Sequence, residues 1–190
     1  MRYALISCIH GNLPAFEAVI RDAEHLRCDS MLCLGDIVGY FDQPVECLDL
    51  VRSQCKASVK GNYDEYCSES YSLDDFNPSA AKKIDWTREK LSVADRAWLS
   101  ELPYQLDAGD FGIVHSSLCS PSQWNYVFDK IAAAKHFDHQ TTSVCFNGHT
   151  HVPVVFQFDA HGVSGGTYTK FTIDPKIKYL VNVGSVGQPR

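Results

Sequence analysis

The first sixty residues alternate short apolar runs with amphipathic stretches, and each apolar run stops at a glycine beside a polar residue. Tyr3 to Ser7 leads into His10-Gly11-Asn12, Met31-Leu32-Cys33-Leu34 into Gly35-Asp36, and Ala57-Ser58-Val59 into Gly61-Asn62. Runs this short read as buried strands. Between the first two, Asn12 can cap a helix with Pro14 in its first turn and Phe16, Val19, Ile20 and Ala23 at helical spacing. Between the second and third, Pro44 to Val51 carries Val45, Leu48 and Val51 on one stripe. Strand–helix–strand–helix–strand order demands parallel strands and an α/β fold. In such sheets, ligands bind beyond the carboxyl ends of the strands.

The rest of the chain has a different rhythm. Cys67 to Pro78 is polar and acidic and is expected as a loop, followed by helices over Ser79–Leu91 and Val93–Leu102. Strands are then expected at Gln105–Asp107, Phe111–His115, Ser143–Asn147, Val152–Phe158, Tyr168–Ile173 and Tyr179–Val183, with one helix near Asp129–Phe137. Asp107–Asp110 reads as a hairpin turn around Gly109. No linker or repeat divides the 190 residues. The expectation is therefore a single domain over 1–190, long enough to bury roughly 70% of its unfolded surface.

Charge and cysteines narrow the class of function. The chain has 17 basic and 23 acidic residues, a net charge of −6. That disfavours a nucleic-acid polymer or an anionic membrane as partner. It leaves room for a small anionic substrate, because a bound metal reverses the local sign. No apolar run approaches the ~18 residues of a membrane-spanning helix. The apolar start is also too short for a signal peptide. The eight cysteines contain no C-x-x-C pair and read as reduced, small hydrophobes of a cytoplasmic protein.

Residues with metal-ligand character recur at the strand ends: Cys8-x-His10, Asp36, Asn62, His115 and His149-x-His151. If Cys8 and His10 lie on a strand, they share a face, and so do His149 and His151. One Gly-Asp or one H-x-H is weak evidence, since turns and hydrogen-bonded core histidines produce both. The ordered set, each member at a strand end, points to one or two divalent ions.

Ser7-Cys8-Ile9-His10-Gly11-Asn12, Gly35-Asp36-Ile37-Val38-Gly39-Tyr40, Gly61-Asn62-Tyr63-Asp64, Val114-His115-Ser116 and Asn147-Gly148-His149-Thr150-His151 together resemble the calcineurin-like metallophosphoesterase family, nearest its small bacterial phosphodiesterases. Asn182 to Arg190 resembles the closing motif of that family. The resemblance implies a four-layer α/β/β/α sandwich of two mixed sheets flanked by helices. It also implies hydrolysis of a small phosphate ester, a phosphodiester or a phosphomonoester, at a two-metal site. The first ion would take Cys8, His10, Asp36 and His151. The second would take Asp36, Asn62, His115 and His149, with Asp36 shared and a bridging hydroxide as nucleophile.

Two positions depart from the family pattern. Cys8 stands where aspartate is usual. A metal-bound thiol is deprotonated and so matches the aspartate charge. Its softness favours zinc or iron, with manganese next and magnesium last. Tyr63 stands where the phosphatase branches carry a leaving-group histidine. It is either a hydrogen-bond donor in catalysis or a packing residue. Trp124, Tyr126 and Phe128 either line a substrate pocket or close the core or a dimer contact. A non-catalytic scaffold or binding protein of the same fold, with an impaired first metal site, is the alternative function, and oligomerisation stays open.

Overall fold

The computed structural model describes residues 1–74 and 76–190. β1 (Tyr3–Ile6), β2 (Ser30–Cys33) and β3 (Cys55–Ser58) form a parallel sheet in that order. α1 (Leu13–His25) and α2 (Pro44–Gln54) are the crossovers. The Asn12 side chain accepts from the Ala15 amide at 3.2 Å and opens α1. Two mixed sheets were expected, but this one is wholly parallel. Each strand reaches the next through a helix, so all three run the same way.

α3 (Asn62–Ser68), α4 (Pro78–Lys90) and α5 (Val93–Glu101) follow; α3 packs on α4 and α5, and α4 packs on α2. α3 begins inside a segment with no apolar periodicity and was not expected. It occupies the start of the anticipated Cys67–Pro78 loop, in which Asp75 lies outside the described residues.

The second sheet is mixed. It contains β4 (Gln105–Asp107), β5 (Gly112–Val114), β6 (Val144–Asn147), β7 (Val154–Asp159), β8 (Gly162–Gly166) and β9 (Lys178–Asn182), in the order β4-β5-β6-β9-β7-β8. The Asp107–Asp110 turn joins β4 and β5 antiparallel. The expected strand over Tyr168–Ile173 is absent. That segment packs Tyr168 and Phe171 against the sheet instead, and the Tyr168 hydroxyl donates to the Asn182 carbonyl at 2.8 Å. The edge strands are β4 and β8; the glycines of β8 leave it no strand-like side-chain pattern.

Three apolar interfaces separate four layers. Ile6, Met31 and Cys33 face the helices with Phe16, Leu48, Ile84 and Leu99. Leu32 and Leu34, alternating with Met31 and Cys33 as a strand requires, meet Phe111, Ile113, Val144 and Val181 of the second sheet. Behind that sheet, Val114, Phe156 and Leu180 pack on Ala133 and Phe137 of α6 (Lys130–Phe137). The layer order is α/β/β/α. No described helix is long and apolar enough to cross a membrane.

Candidate metal centre

The loops after β1, β2, β3, β5 and β6 meet at one end of the sandwich. There Cys8 Sγ, His10, Asp36 and His151 offer ligand atoms all within 4.8 Å of one another, and Asp36, His115 and His149 form a second such group. Asp36 belongs to both. All six residues are buried.

Their convergence does not arise from the alternation of a strand. β1 ends at Ile6 and β6 at Asn147, before either pair. Cys8, His10, Asp36, His149 and His151 have φ of +56°, +56°, +57°, +65° and +63°. They are five of the eight non-glycine residues with positive φ among those described. Left-handed backbone outside glycine costs of order 1–3 kcal/mol per residue. Amides that bridge the loops after β1 and β2 hold it: Cys8 N–H donates to Gly35 O and His10 N–H to Asp36 O, both at 2.9 Å. Gly61 lies against this loop so closely that a Cβ there would overlap the Asp36 amide and carboxylate.

Each histidine is oriented by a backbone carbonyl. His10 Nδ1 donates to Val38 O at 3.3 Å, His115 Nδ1 to Leu34 O at 2.6 Å and His151 Nδ1 to Gln188 O at 2.6 Å. His149 uses the opposite nitrogen, Nε2, to reach Trp124 O at 2.8 Å. Carbonyls only accept, so these nitrogens carry the protons and the others present lone pairs. His10 Nε2 and His151 Nε2 face each other at 3.2 Å. Asp36 Oδ2 stands 3.5 Å from His10 Nε2 and 3.4 Å from His115 Nε2. His115 Nε2 and Asn62 Oδ1 are buried with no hydrogen-bond partner.

A calcineurin-like phosphoesterase superfamily model matches residues 1–190. The chain belongs to that superfamily. It is 40% identical to a metallophosphoesterase from Sphaerobacter thermophilus, whose crystal structure aligns with a TM-score of 0.86 over 100% of this chain and 78% of that one. It is also 35% identical to an uncharacterized protein of Methanocaldococcus jannaschii, over 98% of this chain and 76% of the relative. A hypothetical protein of Pyrococcus horikoshii OT3, 19% identical, shares the fold with a TM-score of 0.74 over 97% of this chain and 77% of that chain.

Members of this phosphoesterase superfamily use divalent metal ions, and the electrostatics here suit such ions. Burial pulls His10 down to about 4 and His149 to about 3, and lowers His151, so their rings are neutral. Burial raises the Asp36 carboxyl, but His115 and His10 outweigh it and hold the group well below the usual range. Burial lowers His115, yet Asp36 beside it leaves the net direction upward. Burial and the Asp36 carboxylate push the Cys8 thiol far up, so without a cation it keeps its proton. Lone pairs aimed at each other, two orphaned buried polar atoms and one shared carboxylate form a donor set that cations complete.

Asp64 is a residue whose part sequence reasoning missed. Its carboxylate accepts from the amides of Asp36 and Ile37 at 2.8 Å, Gly61 at 2.9 Å and Val38 at 3.2 Å. Burial and Asp36 push it up to about 7, while the amides favour the ionised form. It thereby ties the Asp36 loop to the start of α3. The available signal was an acid three residues after Gly61, the spacing of an acid that reaches back to a helix start.

Tyr63 is buried, and its ring lies edge-on to His10 at 5.3 Å; its amide donates to Asp36 Oδ1 at 2.9 Å. Burial raises its phenol. Trp124 and Tyr126 pack on the site histidines: Trp124 edge-on to His115 at 5.9 Å, Tyr126 stacked on His149 at 4.1 Å. Phe128 stacks in turn on Tyr126. Arg190 is exposed; burial raises the Tyr126 phenol and the Arg190 charge offsets part of that rise, while burial, and to a smaller extent Arg190, lowers the His151 ring.

Proposed function

We propose that this chain, as a single domain over 1–190, hydrolyses a small phosphate ester, preferably a phosphodiester, at a two-metal centre. Cys8, His10, Asp36 and His151 would hold the first ion, and Asp36, Asn62, His115 and His149 the second. The observation that carries this reading is the 3.2 Å approach of His10 Nε2 and His151 Nε2. Both rings are neutral and both Nδ1 protons are committed to carbonyls, so two lone pairs oppose each other beside Asp36 Oδ2. Such an arrangement is stabilised by a cation.

When bound, divalent ions supply Lewis acidity at phosphorus and a water of lowered pKa. The chain supplies the rest. Asp36 and, once a cation displaces its proton, the Cys8 thiolate provide the negative charge of the donor set. The four backbone carbonyls fix the rings, so no ligand needs to reorganise. Tyr63 keeps its proton at neutral pH; it buttresses His10 and serves as a hydrogen-bond donor rather than as an acid. The free state of all eight cysteines supports a reducing, cytoplasmic setting. The soft Cys8 donor supports zinc, iron or manganese over magnesium.

Metal analysis of the purified protein, followed by an assay on bis(p-nitrophenyl) phosphate with added metals, tests the proposal. Bound metal approaching two ions per chain and metal-dependent turnover are expected. A protein with neither metal nor turnover under any metal is a scaffold, and the proposal fails.

A further inference from the structure

Three of the four site histidines give Nδ1 to a carbonyl and turn Nε2 inward, whereas His149 gives Nε2 and turns Nδ1 inward. The carbonyl that His149 Nε2 reaches, at 2.8 Å, is that of Trp124. Trp124 has φ +53° and ψ +36°, in the left-handed region. For a residue this bulky that conformation is an outlier. It is costly and persists only where the surrounding structure over-determines it. Of the eight described non-glycine residues with positive φ, five belong to the metal centre, Arg27 follows α1, and Ser120 and Trp124 bracket the single helical turn Pro121–Gln123.

The half-buried Trp124 side chain is held from two sides. Its ring lies edge-on to His115 at 5.9 Å and tilted against Tyr104 at 5.6 Å. The Tyr104 hydroxyl donates to Glu65 Oε2 at 2.7 Å, and the Tyr71 hydroxyl takes Oε1 at 3.1 Å. Lys60 Nζ stands 5.0 Å from the Tyr104 ring centroid and donates to Ser100 O at 2.8 Å, so Tyr104 is itself fixed. Glu65 is buried on α3, three residues after Asn62 and therefore on a neighbouring face of the same turn. The Trp124 side chain thus connects to His115 and, through Tyr104 and Glu65, to the helix that starts at Asn62, while its backbone connects to His149. Those three residues and Asp36 are the ones assigned to the second ion.

We propose that Trp124 is a positioning residue: its left-handed backbone fixes the tautomer and rotation of His149, so that Nδ1 rather than Nε2 is presented to the second ion. A ring released from this carbonyl can carry its proton on either nitrogen, and only one of the two tautomers leaves Nδ1 with a lone pair. The inference rests on the two-metal reading and adds to it a residue that touches neither ion nor substrate. It also separates the work of the backbone from that of the ring. A residue that only fills space is replaced best by the larger apolar side chain. A residue that holds left-handed backbone is replaced best by glycine, which has no Cβ to oppose that conformation and needs no clamp to keep it, and worst by a β-branched residue.

Nitrogen-15 NMR of the imidazoles in the full chain after chelation, and calorimetric titration of the same protein with zinc, test this. The His149 signals are assigned by their loss in His149→Asn. The parent is expected to show one His149 tautomer, protonated at Nε2. Trp124→Val should show a mixture, and one of its two zinc-binding steps should weaken about tenfold or more, as loss of a group that orients a ligand does. Trp124→Gly should keep the parental tautomer and bind zinc at both steps within about threefold of the parent. A proton on Nδ1, or mixed tautomers, in the parent overturns the proposal. So does a Trp124→Val protein that matches the parent, or a Trp124→Gly protein impaired as much as Trp124→Val or more, which is the order that packing alone gives. If Trp124→Val does not fold, Trp124→Ala, unbranched but also disfavoured in left-handed backbone, takes its place in the comparison. A parent that binds no zinc removes the two-metal reading, and the tautomers of the variants still decide whether Trp124 orients His149. Two bound zinc ions with His149 tautomers that ignore position 124 do the reverse.

Discussion

Cys8 carries the largest chemical question at the level of single residues. Its sulfur is buried, lies within 4.8 Å of three other ligand atoms and touches the Ser7 hydroxyl at 3.2 Å. A thiol that burial keeps protonated becomes a thiolate only when a cation pairs with it, so metal and proton compete for the sulfur. Cys8→Asp is expected to shift preference toward manganese or magnesium and to remove most of the sensitivity to thiol oxidants. Cys8→Ser should weaken the first site, because a neutral hydroxyl brings no charge. Metal titrations of the three proteins, compared so that the other seven cysteines cancel, give the answer. Identical preference and rate in all three would mean that Cys8 is no ligand. Asp64 makes a second expectation. Asp64→Asn swaps a carboxyl group whose two oxygens accept from four amides for a carboxamide with one acceptor oxygen, which cannot satisfy them all. A loss of about 3 kcal/mol is expected, together with a lower metal affinity as the Asp36 loop relaxes. Urea unfolding and metal titration measure the two effects; a variant with parent stability and affinity would leave Asp64 without the positioning role. The residue types at this site were legible in the chain, but their backbone was not. Nothing in Cys8-Ile9-His10 announces two left-handed residues, since only glycine advertises that conformation. The strand alternation that seemed to align Cys8 with His10 belongs to a strand that has already ended.

At the scale of elements, legibility followed apolar periodicity. α1, α2, α4, α5 and α6 are legible because each buries apolar residues, from Ile84 alone in α4 and Leu99 in α5 to Leu48 and Val51 in α2. α3 was not, because the residues it buries include Asp64, Glu65 and Ser68, and a polar buried face leaves no hydrophobic period. Tyr168–Ile173 misled in the opposite sense: strand-favouring aromatics there pack by their rings, outside the ladder. α6 adds a pH dependence of its own. His136 is fully buried among the residues of this helix and accepts from the Leu118 amide through Nδ1 at 3.1 Å. Burial lowers its pKa from 6.5 to about 4. The unfolded chain therefore binds this proton first, and its contribution to stability is complete above pH 6.5 and fades as pH falls toward 4. The full effect is about 3 kcal/mol. His136→Asn keeps an acceptor near the Nδ1 position and cannot titrate. It should be less stable than the parent at pH 7 and should close the gap by pH 4.5. Urea midpoints at the two pH values check this, and a gap that stays constant would show that His136 is not the titrating group.

For the whole molecule, the proposed metal centre lies where the two sheets meet. Cys8, His10 and Asp36 come from loops of the first sheet and Asn62 from the start of α3 that follows β3, and His115, His149 and His151 come from loops of the second. Ions held by both sets would cross-link the halves of the sandwich at one end, in addition to the apolar interface of Leu32, Leu34, Ile113 and Val181. Ligation in the native state alone stabilises by mass action, about 2.7 kcal/mol at a hundredfold excess over Kd. For a chain of this length, that corresponds to a rise in Tm of roughly 5–10 °C per site. Chelation is therefore expected to lower Tm by about that amount or more, and re-addition of metal to restore it. Asp36→Asn should respond little to either treatment, because the carboxylate shared by both groups is gone, and its turnover should fall to background. The variant must be compared with the chelated parent, since the buried carboxylate has its own energetic role with His10 and His115. If chelation leaves Tm unchanged in a parent shown to contain metal, the ions do not join the sheets. If Asp36→Asn keeps the metal-dependent shift and near-normal turnover, the shared-ligand assignment of Asp36 is wrong.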